Sequence, residues 1–317
     1  MADPTSDAIH VSADDAGKRL DAFLTEKIDG WSRARLQRLI DDGDVLVNGR
    51  EAKSSFKLRD GDEIDVELSE PPAERFEPEN IPLDIVFEDE HLAVINKPAG
   101  MVIHPGAGVN SGTLANAVAF HFQIHDPQSA IRNRLGIVHR LDKDTSGLIV
   151  VAKSEEIHEA LSEQFRKRSV EKSYVALVHG VTRENSGKID RPIARDKRNR
   201  LKMTVSQTGR SALTLWRVKQ RFEKFTLLDV EIKTGRTHQI RVHLASINHP
   251  VVGDATYGEG RDNTVGDDNI RKAIKTLNRQ FLHAEKLLFT HPKTGERLSF
   301  SIDLPTELTK FLETLKA

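Results

Sequence analysis

The chain contains no cysteine, which removes disulfides, zinc–thiolate centres and thiol nucleophiles from consideration. A reducing, cytoplasmic setting fits that absence. Aromatic residues are scarce, at 5% of 317 residues, with two tyrosines and two tryptophans. Long apolar runs are missing too: "LGIV" and "GLIVVA" are strand-sized and far too short to span a bilayer. The opening "MADPTSDAIHVSADD" is acidic and polar, unlike a secretory or transit peptide, so no membrane partner is expected. Nor is there an excess of charge of one sign, since the formal net charge is −1. That argues against an unstructured polyanion binder but not against nucleic acid, because clustering matters more than the total.

Basic residues do cluster. "SRARLQR" carries Arg33, Arg35 and Arg38; "RKRSVEK" carries Arg166, Lys167, Arg168 and Lys172; "ARDKRNRLK" carries Arg195, Lys197, Arg198, Arg200 and Lys202. Any one run reads equally well as solvated surface. Three in a near-neutral chain point to a phosphate-rich ligand.

The Pro- and Glu-rich stretch "SEPPAERFEPENIP", Ser69 to Pro82, lacks periodicity and reads as a linker, residues 69–82. It separates a small unit, residues 1–68, from a large one, residues 83–317, both plausible domain sizes. In the small unit "KRLDAFLTEKI" places Leu20, Phe23, Leu24 and Ile28 on one helical face. Ser32 is an N-cap candidate for "RARLQRLIDDG", which buries Leu36, Leu39 and Ile40 and ends at Gly43. An alternating strand broken by Asn48-Gly49 signals a hairpin. The large unit alternates strand-like stretches ("IVFED", "LAVINKP", "GLIVVAK", "SYVALVHG", "ALTLWRVKQRF", "FTLLDVEIKT", "LSFSIDL") with a few helices and no repeated βαβ unit. This predicts an α+β fold with a large mixed, mostly antiparallel sheet flanked by helices, and a small N-terminal α+β unit. "GEGRDNTVGDDNIRKAIKTLNR" reads as a variable loop plus helix.

The stretch "HRLDKDTSG", His139 to Gly147, concentrates chemistry. Asp142, Asp144, Ser146 and Gly147 match the opening of an EF-hand loop, but the twelfth position, which needs a bidentate glutamate, is Lys153. Calcium is excluded. A phosphoryl-accepting aspartate would want magnesium carboxylates and a nucleotide loop, and no "GxxxxGK[ST]" occurs. What is left is a single working carboxylate, Asp142, able to attack carbon and needing a cation to stay ionised in a pocket. From the motif alone, an Asp-rich turn held by ion pairs is the competing reading.

"GIVHRLDKDTSGLIVVAK" resembles the defining motif of the RluA/RluD family of pseudouridine synthases. "VINKPAGMVIHPG", "EKSYVALVHG", "KTGRTHQIRVHLASINHPVVGD" and "RQFLHAEKLLFTHPKTG" follow in family order and extend the likeness over nearly the whole large unit. Residues Lys18 to Leu68, above all "SRARLQRLIDDGDVLVNGR", are similar to the S-four type RNA-binding domain. The resemblance implies an isomerase that breaks the nitrogen–carbon glycosidic bond of uridine in RNA and rejoins the base through carbon. No metal or organic cofactor is indicated, and since the sequence is silent on oligomeric state a monomer is the default. "HPGAG…GTLANAV" resembles the branch that acts on large-subunit ribosomal RNA, with transfer RNA the other candidate substrate. The competing function is a non-catalytic RNA-binding or ribosome-assembly factor on the same fold.

By the same resemblance Asp142 is the essential aspartate. Tyr174 is the active-site tyrosine, whose ring stacks on uracil and whose hydroxyl helps remove the ring proton. Arg241 is the arginine paired with the aspartate, while Arg236 is a neighbour that contacts RNA or backbone. Leu282 matches the apolar wall of the uracil pocket, with core packing its rival role. Arg140 fills the space of the everted nucleotide or touches phosphate. Eversion is expected because neither the ring nor the anomeric carbon is accessible inside a stacked helix. Lys97 and His104, in a Gly/Pro loop, are candidates to line the RNA groove, and Arg33, Arg35 and Arg38 to meet its backbone. His238 and His243 sit five apart on a helix and do not share a face, which disfavours a metal site.

Overall fold

The computed structural model describes residues 8–28, 33–41, 43–66, 77–105, 109, 111–122, 136–199 and 202–316. Its first part comprises β1 (Ala8–His10), α1 (Leu20–Lys27), α2 (Arg33–Asp41), β2 (Val45–Val47), β3 (Arg50–Glu51) and β4 (Glu63–Val66). These strands form one sheet in the order β1-β4-β2-β3. The apolar stripe read from the sequence is its core: Leu20, Phe23, Leu24, Ile28, Leu36, Leu39 and Ile40 are all buried, together with Val45, Val47, Ile64 and Val66. Gly43, at φ 74°, closes α2 as a left-handed cap, and the Asp44 N–H donates to the Leu39 carbonyl at 2.7 Å. Asn48 and Gly49 both have positive φ and join β2 to β3 as a tight hairpin. Trp31 and Ser32, the expected helix start, lie outside the described residues.

The second part continues with β5 (Ile85–Glu88), β6 (Leu92–Lys97), α3 (Leu114–His121), β7 (Ser146–Ala152), α4 (Glu155–Arg166), β8 (Glu171–His179), β9 (Ser186–Asp190), β10 (Ile193–Arg195), β11 (Met203–Val205), β12 (Leu213–Arg221), β13 (Phe225–Ile232), α5 (Gln239–Ser246), α6 (Asp268–Leu277), β14 (Leu282–Thr290), β15 (Arg297–Ser301) and α7 (Thr306–Thr314). Strands β10 and β11 form a separate hairpin-like pair. The other nine strands make one sheet, β5-β6-β7-β14-β8-β13-β12-β9, with β15 paired to β14. The fold is the expected α+β class. No helix among the described residues is long and apolar enough to cross a membrane.

The unbroken run "GLIVVA" has a simple cause. Alternate residues of β6 and β7 face opposite sides of the sheet. Ala93, Ile95, Ile149 and Val151 pack with Leu114 and Val118 of α3, while Leu92, Val94, Leu148 and Val150 pack with Ile157 and Leu161 of α4. A strand covered on both faces needs apolar residues throughout, and each buried branched side chain contributes about 1.5–3 kcal/mol. From β8 onwards the sheet packs against α5, α6 and α7 through Ile240, Leu244, Ile274, Leu308 and Phe311.

Five strands were not foreseen: β1, β9, β10, β11 and β14. The last matters most. Strand β14 runs parallel to β7, with Ser146 opposite His283 and Gly147 opposite Ala284, whereas the sheet's other described pairings are antiparallel. Parallel neighbours start at the same end of a sheet, so the turn before β7 and the first residue of β14 meet there. Gly147 makes this contact possible. Its φ is +120°, and a Cβ on it would stand 2.3 Å from the Ala284 carbonyl oxygen and 2.6 Å from the Ala284 nitrogen.

Glu77 and Glu79, at the end of the expected linker, are attached to α3. The Glu79 N–H donates to the Asn116 carbonyl at 3.1 Å and the Asn116 side chain to the Glu77 carbonyl at 2.8 Å.

Because backbone, not a flexible side chain, occupies the space beside Gly147, Gly147→Ala should destabilise the protein by about 3 kcal/mol or more. Denaturant unfolding tests this; a loss below about 1 kcal/mol would show that the β7–β14 junction yields easily.

Candidate active site

Four of the residues singled out in the sequence converge at the common end of β7 and β14. Asp142 lies in the turn that enters β7, where its carbonyl accepts the Thr145 N–H at 3.0 Å. Arg241 projects from α5, and its Nη1 donates to Asp142 Oδ2 at 2.9 Å across 99 residues of sequence. Tyr174 is on β8, paired with Ala284 of β14, and is 6% exposed. Leu282, the first residue of β14, is 4% exposed and shares a cluster with Tyr174 and Leu141. Leu282 is thus both core and neighbour of the tyrosine.

The arginine is oriented by a residue that the sequence reading missed. Asp254, with a fully buried side chain, accepts from Arg241 Nε at 2.7 Å and from Nη2 at 2.9 Å, a two-pronged pair. Its Oδ1 also accepts the Thr256 and Tyr257 N–H groups. The third guanidinium nitrogen remains for Asp142, whose side chain keeps 19% exposure. Tyr257 lies under the guanidinium, 5.1 Å from its ring centre, in cation–π geometry. Its hydroxyl accepts the Met203 N–H at 2.8 Å and meets His238 Nδ1 at 2.7 Å.

Charges follow from these contacts. Burial alone would raise the Asp142 carboxyl, but the fields of His238, Arg241 and Arg140 outweigh it and hold the group below the usual aspartate range. Burial also lowers His238, leaving that imidazole neutral at neutral pH, so there the guanidinium is the operating cation. Burial opposes the charge on Arg241 as well; hydrogen bonds to Asp254 and the field of Asp142 more than restore it. Burial, and then the nearby Asp142 charge, push the Tyr174 phenol well above an ordinary tyrosine. The site therefore offers one ionised carboxylate, partly open to solvent, beside a protonated phenol and an apolar wall.

The remaining candidates divide. Arg140 is exposed and close enough to act on the Asp142 charge. Arg236 is half-buried, with Nε donating to the Ser211 carbonyl at 3.3 Å. His243 is buried, and both ring nitrogens are engaged, one with Thr214 and one with the Arg191 carbonyl. His238 sits at the start of α5 in a left-handed conformation, φ 55°. Arg33 is 53% exposed and pairs with the buried carboxylate of Asp21. The side chains of Arg35 and Arg38 fall outside the described residues. Lys97 corrects an expectation. Rather than lining a groove, it is fully buried, donating to the carbonyls of Pro98 at 2.7 Å, Met101 at 2.9 Å and Lys143 at 3.0 Å. Three converging carbonyls only partly replace solvent around this amino group, which ties the loop after β6 to the residue following Asp142. Burial pulls it down to about 7.

An ionised carboxylate beside an aromatic face suits attack on an electrophilic ring or sugar. Comparison with known proteins names the class. The family model for RNA pseudouridylate synthases matches residues 91–246, and that for the S4 domain matches residues 18–64. The chain belongs to the RNA pseudouridine synthase family, enzymes that isomerise uridine to pseudouridine within RNA. It is 42% identical over 308 residues to an uncharacterized RNA pseudouridine synthase, YlyB, of Bacillus subtilis, covering 97% of both chains. It is 43% identical over 302 residues to ribosomal large subunit pseudouridine synthase D of Xanthomonas campestris, covering 95% of this chain and 90% of that one. Two human structures share the fold. RNA pseudouridylate synthase domain containing 1 has a TM-score of 0.55 at 26% identity, covering 74% of this chain and 95% of its own. Domain containing 4 has 0.58 at 25%, covering 73% and 92%. The reading as an RNA-modifying isomerase with an RNA-binding module holds; that of a purely binding or assembly factor is not the one these relatives support.

Removing one partner from a buried pair leaves the other charge uncompensated, so Asp254→Ala should cost about 3–5 kcal/mol in denaturant unfolding. A loss under about 1 kcal/mol would mean that Arg241 does not depend on it.

Proposed function

We propose that this chain isomerises uridine in large-subunit ribosomal RNA, using Asp142 on a nucleotide turned out of its stack. The observation that carries this reading is the 2.9 Å Arg241–Asp142 contact beside Tyr174 and Leu282. Three chemical routes are open to the carboxylate: addition to the uracil ring, attack at the anomeric carbon, or removal of a sugar proton to give a glycal. All need Asp142 ionised and within reach of the everted nucleoside, and Arg241 supplies both conditions. Leu282 and the Tyr174 ring hold the detached base while it rotates. The Tyr174 hydroxyl, protonated at rest, relays the ring proton in the last step: it takes the proton from the carbon that has joined the sugar as its own passes to the ring nitrogen freed by glycosidic cleavage. Arg140, exposed beside Asp142, occupies the gap left by the nucleotide or meets its phosphate.

The chain divides into residues 1–68, an RNA-docking domain; 69–82, a connection; and 83–317, the catalytic domain. Arg33, Arg35 and Arg38 of α2 face the RNA backbone. The relatives named for ribosomal large subunit pseudouridine synthase support that substrate over transfer RNA. The enzyme works as a monomer in the cytoplasm, without a membrane partner and without a metal or organic cofactor.

Incubation with large-subunit ribosomal RNA, followed by carbodiimide treatment and primer extension, tests the reading. Wild type should produce new stops and Asp142→Asn none. Tyr174→Phe should bind RNA within about twofold of wild type yet form product about 100-fold more slowly. Because the folded carboxyl of Asp142 titrates below its unfolded value, its charge and pairing persist above the ordinary aspartate pKa and disappear as pH falls through the lower folded value. The single-turnover rate should therefore show no acid limb from Asp142 between about pH 5 and 8. Unchanged stops from Asp142→Asn would refute the assignment.

A further inference from the structure

The basic run "RKRSVEK" splits in the folded chain, and one member, Lys172, is left without a counter-ion among the described residues. Arg166 and Lys167 pair with Glu163 at the exposed end of α4, and Arg168 is exposed. Lys172 instead enters β8 as its second residue and is partly buried. Among the described residues it has no carboxylate within ion-pair distance and no hydrogen-bond acceptor for its ammonium. Its one close electronic partner is the Phe165 ring, 5.2 Å from Nζ, and that ring stacks on His139 at 4.6 Å. Burial with no counter-ion pulls Lys172 down to about 8. One cation–π contact is a weak return for burying such a cation, which makes a ligand the natural partner.

Position says which ligand. Residues two apart on a strand point to the same face, so Lys172 and Tyr174 share one, separated by about 7 Å along β8. That is the reach from a base to the phosphate of its own nucleotide. Gly235 lies directly over the ammonium. A Cβ built there would meet only Lys172 Nζ, at 3.9 Å, and Gly235 needs no unusual φ. Gly235 is itself exposed, so only a residue without a side chain separates the ammonium from the solvent edge of the turn that leads to Arg236 and His238.

We propose that Lys172 binds a backbone phosphate of the RNA beside the everted uridine, an inference that rests on Tyr174 and Asp142 facing that nucleotide. The lysine completes the electrostatic hold on the strand next to the reacting base, and its interaction is with phosphate, not with the reacting atoms.

The test compares RNA affinity in an Asp142→Asn background, where no chemistry intervenes, using a large-subunit ribosomal RNA fragment that wild type modifies. Adding Lys172→Met should weaken binding about fivefold at 0.15 M salt and reduce the slope of log affinity against log salt by about 0.7–0.9. Lys172→Arg should restore both. In the active background Lys172→Met should raise KM by a similar factor while kcat falls less than about threefold. Its melting temperature should equal or exceed that of wild type, since an unpaired buried charge is removed. An unaltered slope and affinity overturn the proposal, as does a loss of kcat with affinity intact. If Asp142→Asn itself retains activity, the catalytic reading fails separately, and the salt slopes still decide the role of Lys172.

Discussion

Everything at this site depends on how one guanidinium is shared. Arg241 gives two nitrogens to the buried Asp254 and one to Asp142. The inequality is the point. A fully buried ion pair contributes little net stability, because desolvation offsets the attraction. Its value is geometric: Asp254 fixes the plane of the fork, so that the remaining nitrogen meets Asp142 from one direction. Asp142, the less buried of the two carboxylates, is then charged, oriented and still accessible. Lysine in place of the arginine would keep the charge but could not reach both acids with the same constraint.

The sheet supplies the rest of the arrangement. A single parallel pairing, β7 with β14, brings the turn that carries Asp142 to the strand start that carries Leu282. Tyr174 enters from the next strand, opposite Ala284. Buried polar contacts fasten this junction. Arg279 Nη2 donates to Ser146 Oγ at 2.9 Å and to the Leu282 carbonyl at 2.8 Å, while Gln280 Nε2 donates to Thr145 Oγ1 at 3.2 Å. Lys97 does the same from the other side through the Lys143 carbonyl. Catalytic turns need such support, because an error of an ångström in a reacting group is costly in rate.

Local features of the sequence were easy to read where short-range physics decides them. The stripe Leu36, Leu39 and Ile40, the Asn48-Gly49 turn and the double-faced run "GLIVVA" each became the element that they suggest. Asp142, Tyr174, Arg241 and Leu282 were recognised through motif resemblance, and the structure brings them together. Asp254 was not, since nothing in "VVGDATYG" announces that its carboxylate will fold back on an arginine thirteen residues earlier. Strand β14 escaped because its first three residues, Leu282 to Ala284, are all buried and show no alternation. Lys97 was misplaced for a related reason. A lysine in a Gly/Pro loop reads as solvated, and only the folded chain reveals three carbonyls converging on it. The common cause is that a side chain's partner in a folded loop leaves no local periodicity, whether it is 13 residues away, as for Asp254, or 46, as for Lys97.

The single-turnover rate of Arg241→Lys on large-subunit ribosomal RNA examines the central claim most directly. A fork that must hold two carboxylates predicts RNA affinity within about twofold of wild type and a rate lowered about 100-fold or more. A lysine variant that modifies uridine at the wild-type rate would contradict the account, because charge alone would then suffice.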